Sequence, residues 1–571
     1  MRNLMPKLSN FSLMLCLAAM GFVSRQTKAQ APPVPATEPQ FKLRVEKNVV
    51  VVRVVVRDAK GRVVKRLRQE DFRLADNKKP QEISSFSVET SEAAAVAAQP
   101  PATAPGAKAG QEAATPVAPL AYLAFFFDDL YSAQDSLYRA GQAAEKFIAA
   151  LPENERVAIF TSSWAQTLDF TGDRQKIHET LAKLHANTRF NQHAGCPEIS
   201  DFLASQIVNM EDDNAYSVVA DRMVRDCQMP SKMAKKDFIR PLALAAYDAY
   251  MMESRALLEN LESVIERTSR MPGERQVMIV SDGFIDLEMQ NRVEKVIDRA
   301  LRSRVTVSAL NGAGLALNMR ELDASQSNAP ATPLLSILAD SYDASAEAAA
   351  TGTLREIANG TGGQFLTNDN NLLGGMRKML LPPEVSYVLT FSPSELKYNG
   401  AFHSLKVSLA SGRGLTVQAR KGYFAPRAKA TPEELAREEI REAVFSQNVI
   451  QDLPLTLSTA VRRTSGPNSE IALQANLEVH SLPFQRQGDR NLENLTCAVA
   501  LFDRDGKYVS GFQKNYALAL KDSTLADAQK SGLNFKSHVL VKPGTYTVRV
   551  VVRDSQSRQM AAASKAVEVS P

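Results

Sequence analysis

From residue 120 to about residue 380 the sequence alternates short apolar runs with segments of helical period, and this alternation narrows the fold more than any other feature. Residues 121–127 lead into a helix expected from about Ser136 to Ala150, and residues 155–162 lead through a hairpin ending near Phe170 into a helix from Asp173 to about Ala186. A long helix at about 241–269 feeds a strand at 275–281, a helix at 290–301 feeds one at 304–310, and a helix at 344–358 feeds one at 364–367. Regular βα alternation predicts an α/β domain with a Rossmann-like, mostly parallel sheet and helices on both faces. Ligands in such sheets bind beyond the carboxyl ends of the strands. Two acidic residues fall there, Asp128 in LAFFFDDLYSAQ (123–134) and Asp282 in QVMIVSDGF (276–284).

The flanks have a different texture. NVVVVRVVVRDAKGRVVKRL (48–67) and QEDFRLADNKKPQEISSFSVE (69–89) are β-branched runs broken by turn residues, and SYVLTFSPSELKYNGAFHSLKVSLASGRGLTVQARKGYF (386–424) supplies three further strands. About 50 residues of strand make a poor core alone. The two pieces are therefore expected to join into one β-sandwich threaded by the central domain. Between them, residues 90–119 hold 12 Ala and 5 Pro in 30 positions without amphipathic period, too little apolar surface to offset chain entropy. The expected organisation is a β segment at 36–89, a flexible linker at 90–119, an α/β domain at 120–383 with a helical insertion at 189–240, a β segment at 384–425, a helical connector at 426–447, and a C-terminal β-sandwich at 448–571. Its exposed strand edges would be available for pairing with a partner.

The N-terminus points to export. Arg2 and Lys7 precede an apolar run from Phe11 to Val23, too short to span a bilayer, and Thr27-Lys28-Ala29 supplies small residues for cleavage after Ala29. Cutting after Ala31 would place Pro32 next. The alternative of a lipid anchor at Cys16 meets bulky Leu15 where lipidation wants a small residue. Removing residues 1–29 takes away Arg2, Lys7, Arg25 and Lys28 and no acid, so most of the net charge of +5 belongs to the leader. With one Trp and interspersed charges no nucleic-acid face is expected. No later segment is long and apolar enough to be transmembrane, so the expected location is secreted or periplasmic.

An exported chain can oxidise its cysteines. In the 189–240 insertion two helical blocks flank residues 211–214, and an antiparallel pair would bring Cys196 and Cys227 to the same end, favouring a disulfide. Cys497, in LTCAVALF, reads as a buried thiol. No Gly-x-Ser-x-Gly elbow, Walker loop or His-Glu-x-x-His motif occurs, and His178 and His185, seven apart on one expected helix, read as surface or packing residues. The glycines at 360–363 read as a helix stop. A non-catalytic role is expected.

The strand ends carry a family resemblance: the central region resembles a von Willebrand factor A-type (VWA-like) domain. In that family a first strand ends in Asp-x-Ser-x-Ser, a later loop gives Thr and a further strand ends in Asp-Gly, together holding one Mg²⁺ or Mn²⁺. Asp128 matches the first Asp, Ser132 the second Ser, and Asp282-Gly283 the later pair; Thr188 matches the Thr, while Leu130 stands where the first Ser belongs. Asp129 is a substitute ligand. The competing assignment is that Asp128 caps its loop and Asp282 occupies an Asp-Gly turn. VRVVVRDAKGRVV, EDFRLADNKKPQEISSF, VMIVSDG, TLREIANGTGGQF and ARKGYF extend the resemblance over roughly 40–425, to the VWFA-related domain proteins of acidobacterial type. The resemblance implies an exported binding protein that engages another protein, with an acidic group of the partner completing a metal shell. An exported metal-dependent hydrolase and a structural brace in an envelope assembly are the alternatives.

Overall fold

The computed structural model of the protein describes residues 50–90, 121–187, 196–285, 290–315, 333–381, 385–394, 396–411, 414–426, 431–445, 450–464 and 466–570. The expected signal segment with Ala29, residues 91–119 of the expected linker, and Thr188 lie outside them.

The chain enters through β1 (Val50–Arg57), β2 (Phe72–Asp76), β3 (Lys79–Gln81) and β4 (Ser85–Thr90). The central domain follows as β5 (Ala121–Phe127), α1 (Gln134–Ala149), β6 (Arg156–Thr161), β7 (Thr167–Thr171) and α2 (Arg174–Leu181). Next come α3 (Asp201–Met210), α4 (Asp213–Arg225), α5 (Lys236–Ser269), β8 (Glu274–Val280), α6 (Gln290–Arg302), β9 (Thr306–Leu310), α7 (Pro333–Thr361), β10 (Phe365–Leu366) and α8 (Leu372–Leu380). Its sheet runs β10-β9-β8-β5-β6-β7, parallel except for β7 against β6. All seven residues of β5 are buried, because both faces of the sheet are covered. Tyr122, Ala124 and Phe126 pack with α5, α6 and α7, while Leu123, Phe125 and Phe127 pack with α1, α2 and α8.

After the central domain, β11 (Val385–Phe391), β12 (Phe402–Leu409), β13 (Thr416–Ala419) and β14 (Gly422–Phe424) return to the first strands. One sheet runs β13-β1-β11-β4 and the other β14-β12-β2-β3, so each contains strands from both sides of the central domain. Val52, Val54, Phe72, Tyr387, Leu389 and Phe391 fill the space between them. Four strands follow the central domain where the sequence pattern shows three; the extra one is the three-residue β14. At one end of this sandwich Asp76 accepts hydrogen bonds from the Tyr423 hydroxyl at 2.8 Å and contacts His403 Nδ1 at 2.9 Å, with all three side chains buried.

The connector α9 (Pro432–Phe445) leads to β15 (Ile450–Gln451), β16 (Leu455–Arg463), β17 (Ser469–Leu477), β18 (Gln485–Gln487), β19 (Arg490–Asp503), β20 (Tyr508–Leu520), α10 (Asp522–Ser531), β21 (Leu533–Val541), β22 (Gly544–Asp554) and β23 (Met560–Val569). These strands form a six-stranded sheet and the three-stranded sheet β16-β17-β21 over one apolar core. Ile440, Ala443 and Val444 of α9 pack on the larger sheet. The turn between β19 and β20 reaches back to the central domain. There buried Arg156 donates from Nε to Asp505 at 2.9 Å and from Nη2 to the Arg504 carbonyl at 3.0 Å.

Within the insertion, α3 and α4 start at side-chain caps, Ser200 accepting from the Leu203 N–H and Asp212 from the Asn214 N–H. Glu211 turns the chain between them at φ 51°. The pair thereby brings its outer ends together, and Cys196 and Cys227 are disulfide-bonded with Cα atoms 5.4 Å apart. Among the described residues no helix is long and apolar enough to cross a membrane.

Candidate functional site at the carboxyl ends of β5 and β8

The chain crosses from β5 to β6 and β7 on one side, then returns to β8, β9 and β10 on the other. Loops leaving β5 and β8 therefore diverge, and the crevice between them is the switch point where such sheets bind ligands. The ladder continues one residue past the strands: the Asp128 N–H donates to the Val280 carbonyl at 2.8 Å and the Ser162 N–H to the Phe127 carbonyl at 2.9 Å. This register sets Asp128, Ser162 and Ser281 side by side.

Asp128 is fully buried. Its Oδ1 accepts the Ser162 hydroxyl at 2.8 Å and the N–H groups of Leu130 and Tyr131, each at 3.2 Å. Oδ2 accepts the Ser281 hydroxyl at 2.6 Å. Burial pushes the Asp128 carboxyl up to about 6, against the opposing pull of the Ser281 and Ser162 hydroxyls and the Tyr131 amide, and with help from Asp129. Asp129 accepts the same Ser162 hydroxyl at 2.9 Å and the Ser163 N–H at 2.8 Å. Strand alternation predicts that the two carboxylates point apart; instead they share a donor. One hydroxyl proton cannot fully serve two carboxylates, so the Ser162 bond stabilises an ionised Asp128 less than an unshared bond would.

Ser132 and Asp282 are brought to the same place. The Asp282 N–H donates to Ser132 Oγ at 3.1 Å, and Asp282 Oδ2 accepts the Ala133 N–H at 2.9 Å. Gly283 adopts φ +113°, and a Cβ there would lie 2.9 Å from Ala350 Cβ, so only glycine fits. Burial raises the Asp282 carboxyl, with the Ala133 amide and Ser136 opposing. Its Oδ1 is buried and closes no hydrogen bond of ordinary geometry among the described residues, although Ser136 is near enough to the carboxyl to act on it as a hydrogen-bond donor.

The oxygens of Asp128 and Asp129 are engaged by protein donors and are not gathered around a common cation position. A resident Mg²⁺ or Mn²⁺ needs six oxygen ligands, yet both Asp128 oxygens are occupied by protein donors and Asp129 is held by Ser162 and Ser163. Leu130 offers only a buried apolar side chain. A cation there would compete with the Ser162 and Ser281 hydroxyls for Asp128, whereas Asp282 Oδ1 carries no protein donor among the described residues. Among the described residues no group of three or more His, Cys, Asp or Glu is set to hold an ion.

The crevice wall is rich in acid. The Tyr131 hydroxyl donates to the Tyr250 carbonyl at 2.9 Å and lies 2.7 Å from Ser254 Oγ. Beside it, burial lifts Glu253 to about 7, reinforced by Asp128 and Asp201, and lifts Asp201 to about 6. Ser162, Ser163, Ser281 and Glu253 were not singled out from the sequence. The hydroxyl run after the second strand, TSSW at 161–164, and the Ser preceding Asp282 were the available signals.

The remaining candidates lie elsewhere. His178 contacts Glu145 at 2.5 Å on the surface. His185 does not share its helix, because α2 ends at Leu181. Beyond that end the Ala186 N–H donates to Gln134 Oε1 at 2.7 Å and the Asn187 N–H to the Asp129 carbonyl at 2.7 Å, drawing the chain toward the site loop. Cys497 is buried and its thiol is pushed up to about 11.

No known family profile matches the chain, and no curated protein matches it. Solved structures give partial superpositions. A Bacteroides uniformis β-glucuronidase is 11% identical at TM-score 0.14, covering 32% of this chain and 19% of that one. Dimeric latent PorU from Porphyromonas gingivalis is 12% identical at TM-score 0.13, covering 33% and 14%. The chicken interferon gamma receptor alpha chain is 11% identical at TM-score 0.13, covering 32% and 73%. The chain thus spans about a fifth of the length of the glucuronidase, and these likenesses carry no argument about function.

Proposed function

We propose that this chain is an exported protein-binding module, its central domain VWA-like and its binding face the crevice beyond β5 and β8. The observation that carries it is Asp282 Oδ1, a buried carboxylate oxygen that closes no hydrogen bond of ordinary geometry among the described residues, at the switch point of the sheet. Buried polar atoms are nearly always satisfied, so an open acceptor at a ligand-binding edge fits a donor brought by a partner. A lysine or arginine side chain supplies such a donor with the right charge. Binding in this form needs no resident metal. The hydrolase alternative draws on the raised carboxyls of Asp128, Asp201 and Glu253 at the same crevice, and turnover separates it from binding.

The test is affinity capture with the exported chain, repeated with Asp282→Ala, with a chelator, and alongside ester and phosphate substrates. The expected result is a partner retained by the native chain, retained under chelation and lost with Asp282→Ala. Equal capture by both proteins would remove the assignment of this face, and turnover abolished by Asp128→Ala would replace binding with catalysis.

A further inference from the structure

A second feature lies away from the crevice, between the loop leaving β1 and the end of α8. There a cleft of about 620 Å³ is lined by Arg57, Arg62, Lys65, Arg377 and Lys378, with Asp58 as its acid. The volume is that of a small-molecule site.

Asp58 is already committed. It accepts Arg62 Nε at 2.8 Å and the N–H groups of Lys60 and Arg62 at 2.9 Å each, and these bonds, led by those from Arg62, hold its carboxyl below the usual range. It therefore neutralises Arg62 alone. Arg57, Arg377 and Lys378 have no carboxylate partner among the described residues. Arg57 is held in place by donating from Nη1 to the Gly61 carbonyl at 3.1 Å, while its Nε is buried with no hydrogen-bond partner among the described residues. The last turn of α8 favours some positive charge at Arg377 and Lys378 through the helix dipole. That preference does not account for Arg57, which lines the same cleft from a strand 320 residues earlier.

We infer that this cleft is a binding site for a small multivalent oxyanion, whose phosphate or carboxylate groups would accept from Arg57 and be neutralised by Arg377 and Lys378. Guanidinium groups suit such ligands through paired N–H donors. The site joins the β-sandwich to the central domain, so occupancy would tie the two together.

Calorimetric titration of the purified chain with pyrophosphate and with citrate tests this, the two probes separating phosphate from carboxylate chemistry. Binding of either probe is expected, weakening as salt rises from about 50 to about 200 mM. Arg377→Ala with Lys378→Ala should weaken it by about tenfold or more, Arg57→Gln similarly, and the distant Lys514→Ala should leave it unchanged. Circular dichroism confirms folding; Arg377 and Lys378 are exposed, so that double variant is expected to fold normally. No binding of either probe, or equal binding by all variants, would overturn the assignment.

Discussion

The hydroxyl of Ser281 donates to Asp128 Oδ2 at 2.6 Å across two adjacent parallel strands, joining residues 153 positions apart. The bond is buried, and its acceptor has no access to water as a replacement. Ser281→Ala should therefore cost about 1–3 kcal/mol, the usual penalty for an unsatisfied buried polar group. Urea unfolding of the two proteins at pH 7 measures it, and a difference within about 0.5 kcal/mol would remove this bond from the account of the site.

The same carboxyl sets a pH dependence. Asp128 goes from an ordinary value of 3.8 to about 6 in the folded protein, so between these values the folded state binds more protons than the unfolded one. Stability should consequently fall as pH rises from about 4 to about 6 and level off above. Other raised carboxyls contribute in or near this window, so the informative quantity is the difference from Asp128→Asn. Parallel stability profiles for the two proteins would contradict the assigned shift.

Reduction should loosen the helical insertion. Cys196 and Cys227 close a loop of 31 positions, for which the chain-entropy relation gives about 3–4 kcal/mol. Cys227→Ser is expected to lower the melting temperature and to admit protease between α3 and α4 before the parallel sheet opens. Unchanged proteolysis would show that the packing of Leu203, Ile207, Val219 and Met223 suffices alone.

The contact of the C-terminal sandwich with the central domain leaves no room for a methyl group at Gly506. This residue has φ +81°, and a Cβ there would lie 1.6 Å from the Tyr122 hydroxyl. Gly506→Ala should displace the turn and break the Arg156–Asp505 pair, costing more than about 1 kcal/mol. Limited proteolysis within α9 should accelerate; an unchanged cleavage rate would mean the turn is not what holds the two domains.

Tyr423→Phe should cost about 1–2 kcal/mol by depriving buried Asp76 of its hydroxyl donor. Because Asp76 precedes the central domain and Tyr423 follows it, the loss should appear as earlier fraying of the sandwich, followed by amide exchange in β2 and β12. Exchange unaltered in both strands would count against this.

Much of the architecture was legible in sequence, for reasons particular to each part. Phe125, Phe126 and Phe127 in succession suit a strand covered on both faces, in keeping with the parallel sheet that the βα alternation predicts. The β-branched run at 50–57 needed partners, and 385–391 and 416–419 provide them. Helix α5 begins at Lys236, five residues before the expected 241, because Ile239 is buried in the core of the insertion and Pro241 falls inside the helix. Likewise α7 begins well before 344, since Leu338, Ala339 and Tyr342 pack on the insertion. Helix α8 was hidden by Gly374-Gly375, although a Cβ at Gly375 would lie 2.3 Å from Leu366 Cδ2, so that glycine serves close packing. The positions of Asp128, Ser132 and Asp282 were evident, but their hydrogen-bond partners were not. Which serine meets which carboxylate depends on strand register, a property of the folded sheet alone.

The threading of the first sandwich has a temporal consequence. The Tyr387 hydroxyl donates to the Val64 carbonyl 323 residues earlier, and β1 pairs with strands from that same late region. During synthesis β1 must wait for β11 and β13, and the β2–β3 pair for β12, until the whole central domain has been made. The order of assembly is thus imposed from within: the inserted domain can close first, and only then do its two exits lie near enough for the earliest strands of the chain to find the partners that complete their sheets.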